Sequence, residues 1–588
     1  MRLILPRGKI ATTLNIGVSV SPKPKRWQIA PRVASAIIAR FSNLPPLIVQ
    51  VLYNRGITTP EQADAFLAPD ALIGNPFQMR GMNDAVERLR RAMRAGESIA
   101  VYGDFDADGV TATALLVQVL RSLGAKVKPY IPHRVDEGYG LNLEALQQLK
   151  DDGVRVVITV DCGVRSLAEV AFATRIGLDM VITDHHAPTD QLPHAFAVID
   201  PKQPQCQYPA KELSGVGVAF KLAQGLLRVN ERVPLKNQTP VSEDALLDLV
   251  ALGTVADLVP LTNENRALVK RGIARLRQSE RPGIQALIRH AALKPETLDA
   301  GHIGFTLAPR LNAAGRLEHA LRAYDLLTTI YPDEAEKLAQ ELEGTNRNRQ
   351  NLTSELTLKA RDAVAAFADA EPLLFVVDPS FLEGIVGLIA SRLTEEFYRP
   401  SVAVHRGETE SRGSARSISE FNIVGALDEC RDLLIRHGGH AMAAGFTVRN
   451  ENLSALETRL RAIAARELLL AELAPTLAVD AEASLSEMNW ALHKALEQLA
   501  PFGYGNREPI FVSRNVVARE ARVVGTEHLK LILSDAQITW DAIAFRQGSW
   551  LGKLPPRIDV AYQLDARTWN GETRLQLNVK DIKPTDDG

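Results

Sequence analysis

Three aspartates, Asp104, Asp106 and Asp108, alternate through the segment DFDADG, directly after the apolar run SIAVYG. Carboxylates this close repel one another, and a positive charge must offset the repulsion. The same plan recurs twice. The run VRVVITV leads into Asp161 in VDCG, and LDMVIT leads into Asp184-His185-His186. A further acid, Asp257, interrupts the apolar stretch GTVADLVPL. Taken singly, each has an ordinary explanation, because an aspartate after a strand commonly caps a helix or turns the chain. Acids at three strand ends together with a histidine pair call for multivalent cations. Oxygen ligands with one imidazole suit manganese or magnesium, whereas zinc favours more nitrogen or sulfur. An acid shared by two ions makes a binuclear centre with metals about 3.5–4 Å apart, which clamps a phosphoryl group and activates water.

The elements around these residues must bring them to one edge. From about residue 80, apolar strands alternate with helices that end at Gly124 and Gly153, the pattern of a parallel sheet covered on both faces. Ligands of such sheets sit beyond the carboxyl ends of the strands, where the acids fall. Residues 210–330 read as mostly helical, and a long polar helix over 333–368 follows as a connector. A second, smaller α/β unit spans 369–470. Short strands with turns, including an Asn570-Gly571 hairpin signal, predict a β-barrel of the OB type over 471–588. Before the catalytic domain, placed at 71–332, residues 1–70 read as a helical appendage with TTPEQ starting a helix.

The chain has 588 residues, too many for one core, with 46% hydrophobic and 23% charged residues. No apolar run reaches the roughly 20 residues of a membrane span, and the N-terminus is too interrupted for a secretory signal, so a cytoplasmic location is expected. The three cysteines are far apart and offer neither a disulfide framework nor a zinc cluster. A net charge of −2 neither supports nor excludes nucleic acid. Basic clusters at KPKRW, ERLRRAMR and NRNRQ read as solvated faces or tails. In GGHAMAAGF, two glycines before His440 either let backbone approach a phosphate or make a turn into a packed helix. PRLNAAGR brings Arg310, Asn312 and Arg316 near one another as supports or phosphate contacts. Trp540, Trp550, Trp569 and Tyr504 are candidates for stacking bases or for barrel packing.

DFDADG, VDCG, DHH and GTVADLVPL, in this order, resemble the four motifs of the DHH phosphoesterase superfamily. LAPRLNAAGR, EGIVGLIASRL, GSARS, GGHAMAAGF and PFGYGNREPIF narrow the resemblance to its RecJ branch of single-strand-specific exonucleases, from about residue 70 to the C-terminus. The resemblance implies two Mn2+ or Mg2+ ions held by Asp106, Asp108, Asp161, His185 and Asp257, with Asp161 bridging. It implies that His186 faces the scissile phosphate and that Asp184 orients His185. Arg134, Ser414 and Arg416 match a pocket for a terminal 5′-phosphate. Tyr102 stands where other members of the superfamily carry a histidine ligand, which would weaken one metal site. The implied activity is 5′→3′ hydrolysis of single-stranded DNA to 5′-mononucleotides in repair and recombination. The implied setting is a monomer working with a single-strand-binding protein and a helicase. Two rival readings are a phosphodiesterase for very short RNA or cyclic dinucleotides, which has no use for the barrel, and an inactive DNA-binding scaffold, which would have lost metal ligands.

Overall fold

The computed structural model describes residues 24–585, apart from 69–71, 135–136, 237, 240, 471 and 570. Asn570 of the hairpin signal therefore lies outside the described residues. Strand β1 (Arg26–Ile29) opens the described chain. Strands β2 (Ser98–Gly103), β3 (Lys126–Tyr130), β4 (Val154–Val160), β5 (Asp179–Thr183) and β6 (Ala197–Ile199) form a parallel sheet in the order β3-β2-β4-β5-β6. Its central strands are runs of valine and isoleucine because both faces are buried. Ile99 and Val101 pack on one face beneath the helices Ala107–Ser122 and Gly215–Arg232, while Ala100 and Tyr102 pack on the other with Leu146 and Val170. The chain steps from β2 to β3 on one side and crosses to β4 on the other. The carboxyl ends of β2 and β4 thus flank the topological switch point, where such sheets leave a crevice.

The connecting helix is observed over Pro332–Val364. It leads to β7 (Leu374–Asp378), β8 (Ser401–Arg406), β9 (Glu410–Arg416), β10 (Leu434–His440) and β11 (Ala443–Arg449), in the order β10-β11-β9-β8-β7. Only β7 and β8 run parallel; the helix Val386–Phe397 packs on the sheet. The helix considered after His440 is not formed. Ala444, Phe446 and Val448 are buried at a period of two, which makes a strand, and β10 and β11 form a hairpin.

The last unit comprises β12 (Thr476–Val479), β13 (Ala481–Glu482), β14 (Phe511–Val524), β15 (His528–Ser534), β16 (Thr539–Ala544), β17 (Ile558–Trp569) and β18 (Glu572–Pro584). Strands β14-β15-β16-β18-β17 close into a barrel through the β14–β17 pairing. Trp540 is a core residue whose Nε1 donates to the Leu485 carbonyl at 2.9 Å, and Trp550 packs against the same core. Of the proposed stacking residues whose side chains are described, Tyr504 is the exposed one.

Two sequence readings are corrected here. The described part of the N-terminal segment, read as a helical appendage, also holds a strand and is joined to the last unit: β1 pairs in parallel with β12, and Trp27 Nε1 donates to Asp581 at 2.7 Å. Ile48, Val49, Val51 and Leu52 are fully buried in the barrel's own core. Amphipathic helices show that they bury a face but not against what. Likewise ERLRRAMR is not simply a solvated face, because Arg88 is buried and paired with Glu97 at 2.7 Å and Asp179 at 2.5 Å. Leu52→Ala is expected to destabilise the barrel unit by about 2–5 kcal/mol. Denaturation followed by tryptophan fluorescence measures this, since all five tryptophans lie in β1 or the C-terminal unit. An unchanged midpoint would contradict the shared core.

Candidate metal centre and anion pocket

Each acid is placed by an element end. Asp104 follows β2 and is buried. Asp106 caps the helix Ala107–Ser122, accepting from the amides of Asp108 at 2.9 Å and Gly109 at 3.1 Å. Asp108, in the first turn, accepts from Gly215 N at 2.6 Å and Val216 N at 2.9 Å, the first amides of the helix Gly215–Arg232. Asp161 follows β4 with φ 63°, a left-handed backbone that aspartate tolerates better than most residues. Gly215 makes room for it: a Cβ there would lie 2.6 Å from the Cβ of Asp161. Asp257 ends the helix Leu247–Ala256. His185 and His186 follow β5 through Asp184.

These side chains converge. His185 Nε2 lies 3.0 Å from Asp161 Oδ1 and 3.5 Å from Asp257 Oδ2, without the alignment a hydrogen bond needs. Asp104 Oδ1, Asp161 Oδ1, Asp257 Oδ2 and both ring nitrogens of His185 are buried without hydrogen-bond partners. Three groups of ligand atoms lie within 4.8 Å of one another: Asp104, Asp106 and Asp161; Asp161, His185 and His186; Asp108, His185 and Asp257. Asp161 and His185 each belong to two groups.

The electrostatics agree with this geometry. Burial, then the charge of Asp106, pushes Asp108 up to about 7. Burial, then Asp108, pushes Asp257 up to about 9. Asp104 and Asp161 rise through burial and then through their acidic neighbours, and burial holds His185 neutral, down at about 3. An oxygen-rich set with one neutral imidazole and several orphaned buried acceptors fits hard divalent cations.

Asp184 departs from its expected role. Its Oδ1 accepts from the amides of His185 and His186 and lies 2.8 Å from His186 Nδ1, while Oδ2 accepts from Val164 N. It therefore orients His186, not the ring of His185. Burial alone would lower the pKa of His186, but the bond to Asp184 and its charge raise it. Tyr102 is also reassigned. It stacks on Tyr130 on the far side of the sheet and donates to the Gly140 carbonyl at 3.0 Å. Asp104, not Tyr102, completes that end of the acidic cluster.

The acids line a cavity of about 400 Å³. Phe105, Arg134, Tyr139 and Arg316 line both this cavity and a neighbouring one of about 560 Å³. The second cavity is lined by Arg412, Ser414 and Arg416, alternate residues of β9 that share one face. Arg416 Nη1 donates to Ser414 Oγ at 2.9 Å. Both side chains approach the first turn of the helix Val386–Phe397, since a Cβ on Gly387 would lie 3.0 Å from Arg416 and 3.2 Å from Ser414. That turn has no side-chain cap. The Arg416 guanidinium and the Ser414 hydroxyl beside a helix N-terminus that lacks a side-chain cap form an anion pocket. Burial, then the neighbouring Arg134, pushes Arg316 down to about 10, which still leaves it charged at neutral pH, whereas Arg412 is paired with Glu383 at 2.6 Å.

Asn312 lines the acidic cavity and accepts from Ala107 N at 2.7 Å. Two expected residues lie elsewhere. Arg310 lines neither cavity; it pairs with Glu343 at 2.7 Å and donates to the Thr306 carbonyl. His440 is exposed at the end of β10, and His437 lines the pocket instead. The sequence reading missed Tyr139, Arg412 and Phe105. The period of two in SRGSARS carried the signal for Arg412.

A parallel sheet with acids at its switch point, an accessory α/β unit on a long helix and a closed barrel define a DHH-type protein. The family model "DHH family, N-terminal domain" matches residues 98–254, "DHHA1 domain" 371–466 and "RecJ OB domain" 479–581. The chain is 39% identical to the single-stranded-DNA-specific exonuclease RecJ of Bacillus subtilis over 546 residues, 92% of this chain and 68% of that one. It is 36% identical to the RecJ of Salmonella typhimurium over 576 residues, 95% and 99% of the two chains. The crystal structure of RecJ in complex with Mn2+ from Thermus thermophilus superposes with a TM-score of 0.82 at 31% identity, covering 95% of this chain and 80% of that one. The Mg2+ complex of the same protein gives 0.76 at 30% identity, covering 95% and 79%. The chain belongs to the RecJ family.

The raised carboxyl pKa values fix a sign. Without metal, the folded chain retains protons that the unfolded chain releases from about pH 4 upwards, so stability falls with rising pH. Asp108 and Asp257 place this loss between about 4 and the folded values of about 7 and about 9. Chelator-treated protein is expected to melt lower at pH 9 than at pH 6, and added Mn2+ is expected to close the gap. Metal-independent melting at both pH values would contradict the assignment.

Proposed function

We propose that this chain is a single-stranded-DNA-specific exonuclease that removes 5′-mononucleotides in the 5′→3′ direction. Asp106, Asp108, Asp161, His185 and Asp257 hold two divalent cations, Mn2+ or Mg2+, with Asp104 adjoining. When bound, the cations supply Lewis-acid polarisation of the phosphodiester and activation of water. Arg416 and Ser414, with the first turn of the helix behind them, take the terminal 5′-phosphate; Arg134 and Arg316 take the scissile phosphate's side of the strand. His186, held by Asp184, donates a hydrogen bond to the charge that develops on the phosphoryl oxygens. Asn312 fixes the backbone of the first acidic motif through the Ala107 amide.

One observation carries this reading: the acidic cavity and the arginine-lined one share Phe105, Arg134, Tyr139 and Arg316 in their walls, so a cation centre and a phosphate grip adjoin. The relatives' names supply the substrate and the strand specificity. Among the described residues no helix is long and apolar enough to cross a membrane. The reading extends to a cytoplasmic monomer acting in repair and recombination with a single-strand-binding protein and a helicase.

Incubation with Mn2+ and three substrates tests it: long single-stranded DNA with a 5′-phosphate, a dinucleotide, and duplex DNA. Mononucleotides are expected from the first; hydrolysis of the dinucleotide alone would favour a small-substrate phosphodiesterase, and binding without cleavage a scaffold. Asp161→Ala is expected to abolish cleavage while leaving strand binding nearly intact, and normal turnover would rule out its shared place between two metals. Arg416→Ala is expected to lower kcat/KM by about 10–100-fold for 5′-phosphorylated ends and less for 5′-hydroxyl ends. Equal losses on both ends would remove Arg416 from the end pocket.

A further inference from the structure

A third cavity, of about 620 Å³, lies where the N-terminal helices, the parallel-sheet domain and the barrel unit meet. It is lined by Asn54 and Arg55 from the first unit, Thr262 and Asn263 from the second, and Asn506 and Arg507 from the third. We propose that it is a second phosphate site, which holds the backbone of the same single strand a few nucleotides away from the metal centre. This inference rests on the reading above and extends it to the strand's path.

The Arg55 guanidinium is held in place by Asn506 Oδ1 at 2.5 Å and the Arg507 carbonyl at 2.8 Å. Burial pushes Arg55 down to about 10; Asp480 opposes this and Arg507 adds to it. The helix Asn263–Arg277 begins at the cavity, and Thr262, its N-cap, makes no side-chain cap. Thr262 and the first helical residue, Asn263, line the same space as the two guanidinium groups, so the positive end of the helix dipole adjoins them. The one acid in the lining is Asp480. Its Oδ2 accepts from Ile510 N at 3.1 Å, and Oδ1 lies 3.3 Å from Asn54 Nδ2 and 3.5 Å from Arg507. Two guanidinium groups against this one carboxylate leave the cavity with a net positive charge.

Nearness to the metal centre along the chain points to the occupant. Asp257 and Thr262 are five residues apart, so the two sites are separated by at most about 18 Å of chain. Between them Leu258 is 69% exposed, and Tyr504, whose carbonyl accepts from Leu261 N at 2.7 Å, is 65% exposed. Apolar faces flanked by two anion sites match a single strand, whose bases stack and whose backbone is charged. A free anion would need only the cavity, and an acidic peptide would not need the exposed ring.

Arg507→Gln and Asn263→Asp alter exposed residues outside the catalytic machinery and the cores. Affinity is measured by fluorescence anisotropy on the full-length, Mn2+-loaded protein, with a phosphorothioate-blocked, 5′-phosphorylated strand of about 16 nucleotides, the upper end of a single barrel's footprint. Each variant is expected to bind this strand roughly fivefold more weakly, the scale of a half-exposed ionic contact. For Arg507→Gln, the slope of log K against log salt is expected to fall by about 0.7, one phosphate's worth on a single strand. Dinucleotide binding in the same assay should stay unchanged in both variants. Unaltered affinity and salt slope for the long strand would overturn the proposal, as would equal losses on the dinucleotide. These readouts need no cleavage, so a failure of the exonuclease reading shows separately, as absence of turnover in the unaltered chain.

Discussion

Carboxylates crowded into a buried crevice repel one another, and most of this molecule's design can be traced to that constraint. Asp104, Asp108 and Asp161 are all buried at the ends of strands or in the first turn of a helix, and each is driven upward in pKa first by burial and then by its acidic neighbours. Backbone amides relieve part of the cost: the helix N-terminus at Gly215 donates twice to Asp108. They do not reach Asp161 Oδ1, Asp257 Oδ2 or the ring of His185, which face one another unpartnered. Lone pairs arranged in this way make sense around a cation and are unfavourable without one.

The sheet order explains why the repulsion is tolerated. Asp104 and Asp161 follow the two strands between which the chain reverses direction of growth, where such sheets leave a crevice. The opposite charge is supplied from separate elements. Arg316 comes from the helix Ala308–Leu317, Arg134 from the loop after β3, and Arg416 from β9 of the accessory unit. Arg134 and Arg316 share the acidic cavity and Arg416 lines the adjoining one, yet among the described residues none of the three forms an ion pair with the acids, which leaves the acids free for cations and these arginines free for phosphate.

The strand-end acids were legible in the sequence because their signal is local: an apolar run of strand length followed by a carboxylate. The three layers and the barrel were legible from periodicity for the same reason. What was not legible depended on partners distant along the chain. The helix Pro46–Asn54 shows an apolar face in sequence, but nothing in it says that the helix meets β13 and the helix Trp490–Glu497 more than 400 residues away. Asp184 was paired with the wrong imidazole because adjacent histidines look equivalent until the turn after β5 aims one ring at the carboxylate. Arg310 and Arg316 are neighbours on one helix, yet only Arg316 faces the cavities, since Glu343 on the connecting helix captures Arg310. His440 was misplaced because a glycine pair precedes both helices and hairpins, and the buried alternation that decides between them begins only at Ala444.

The central claim is that the acids and His185 form one cation-binding centre. Calorimetric titration of the chelator-stripped, full-length chain with Mn2+ measures this directly, in two buffers of different ionisation enthalpy. The account requires saturable uptake of two ions together with net proton release, because carboxyls held above their usual range must lose protons to bind metal. Heat that never saturates, or uptake without protons leaving, would contradict it.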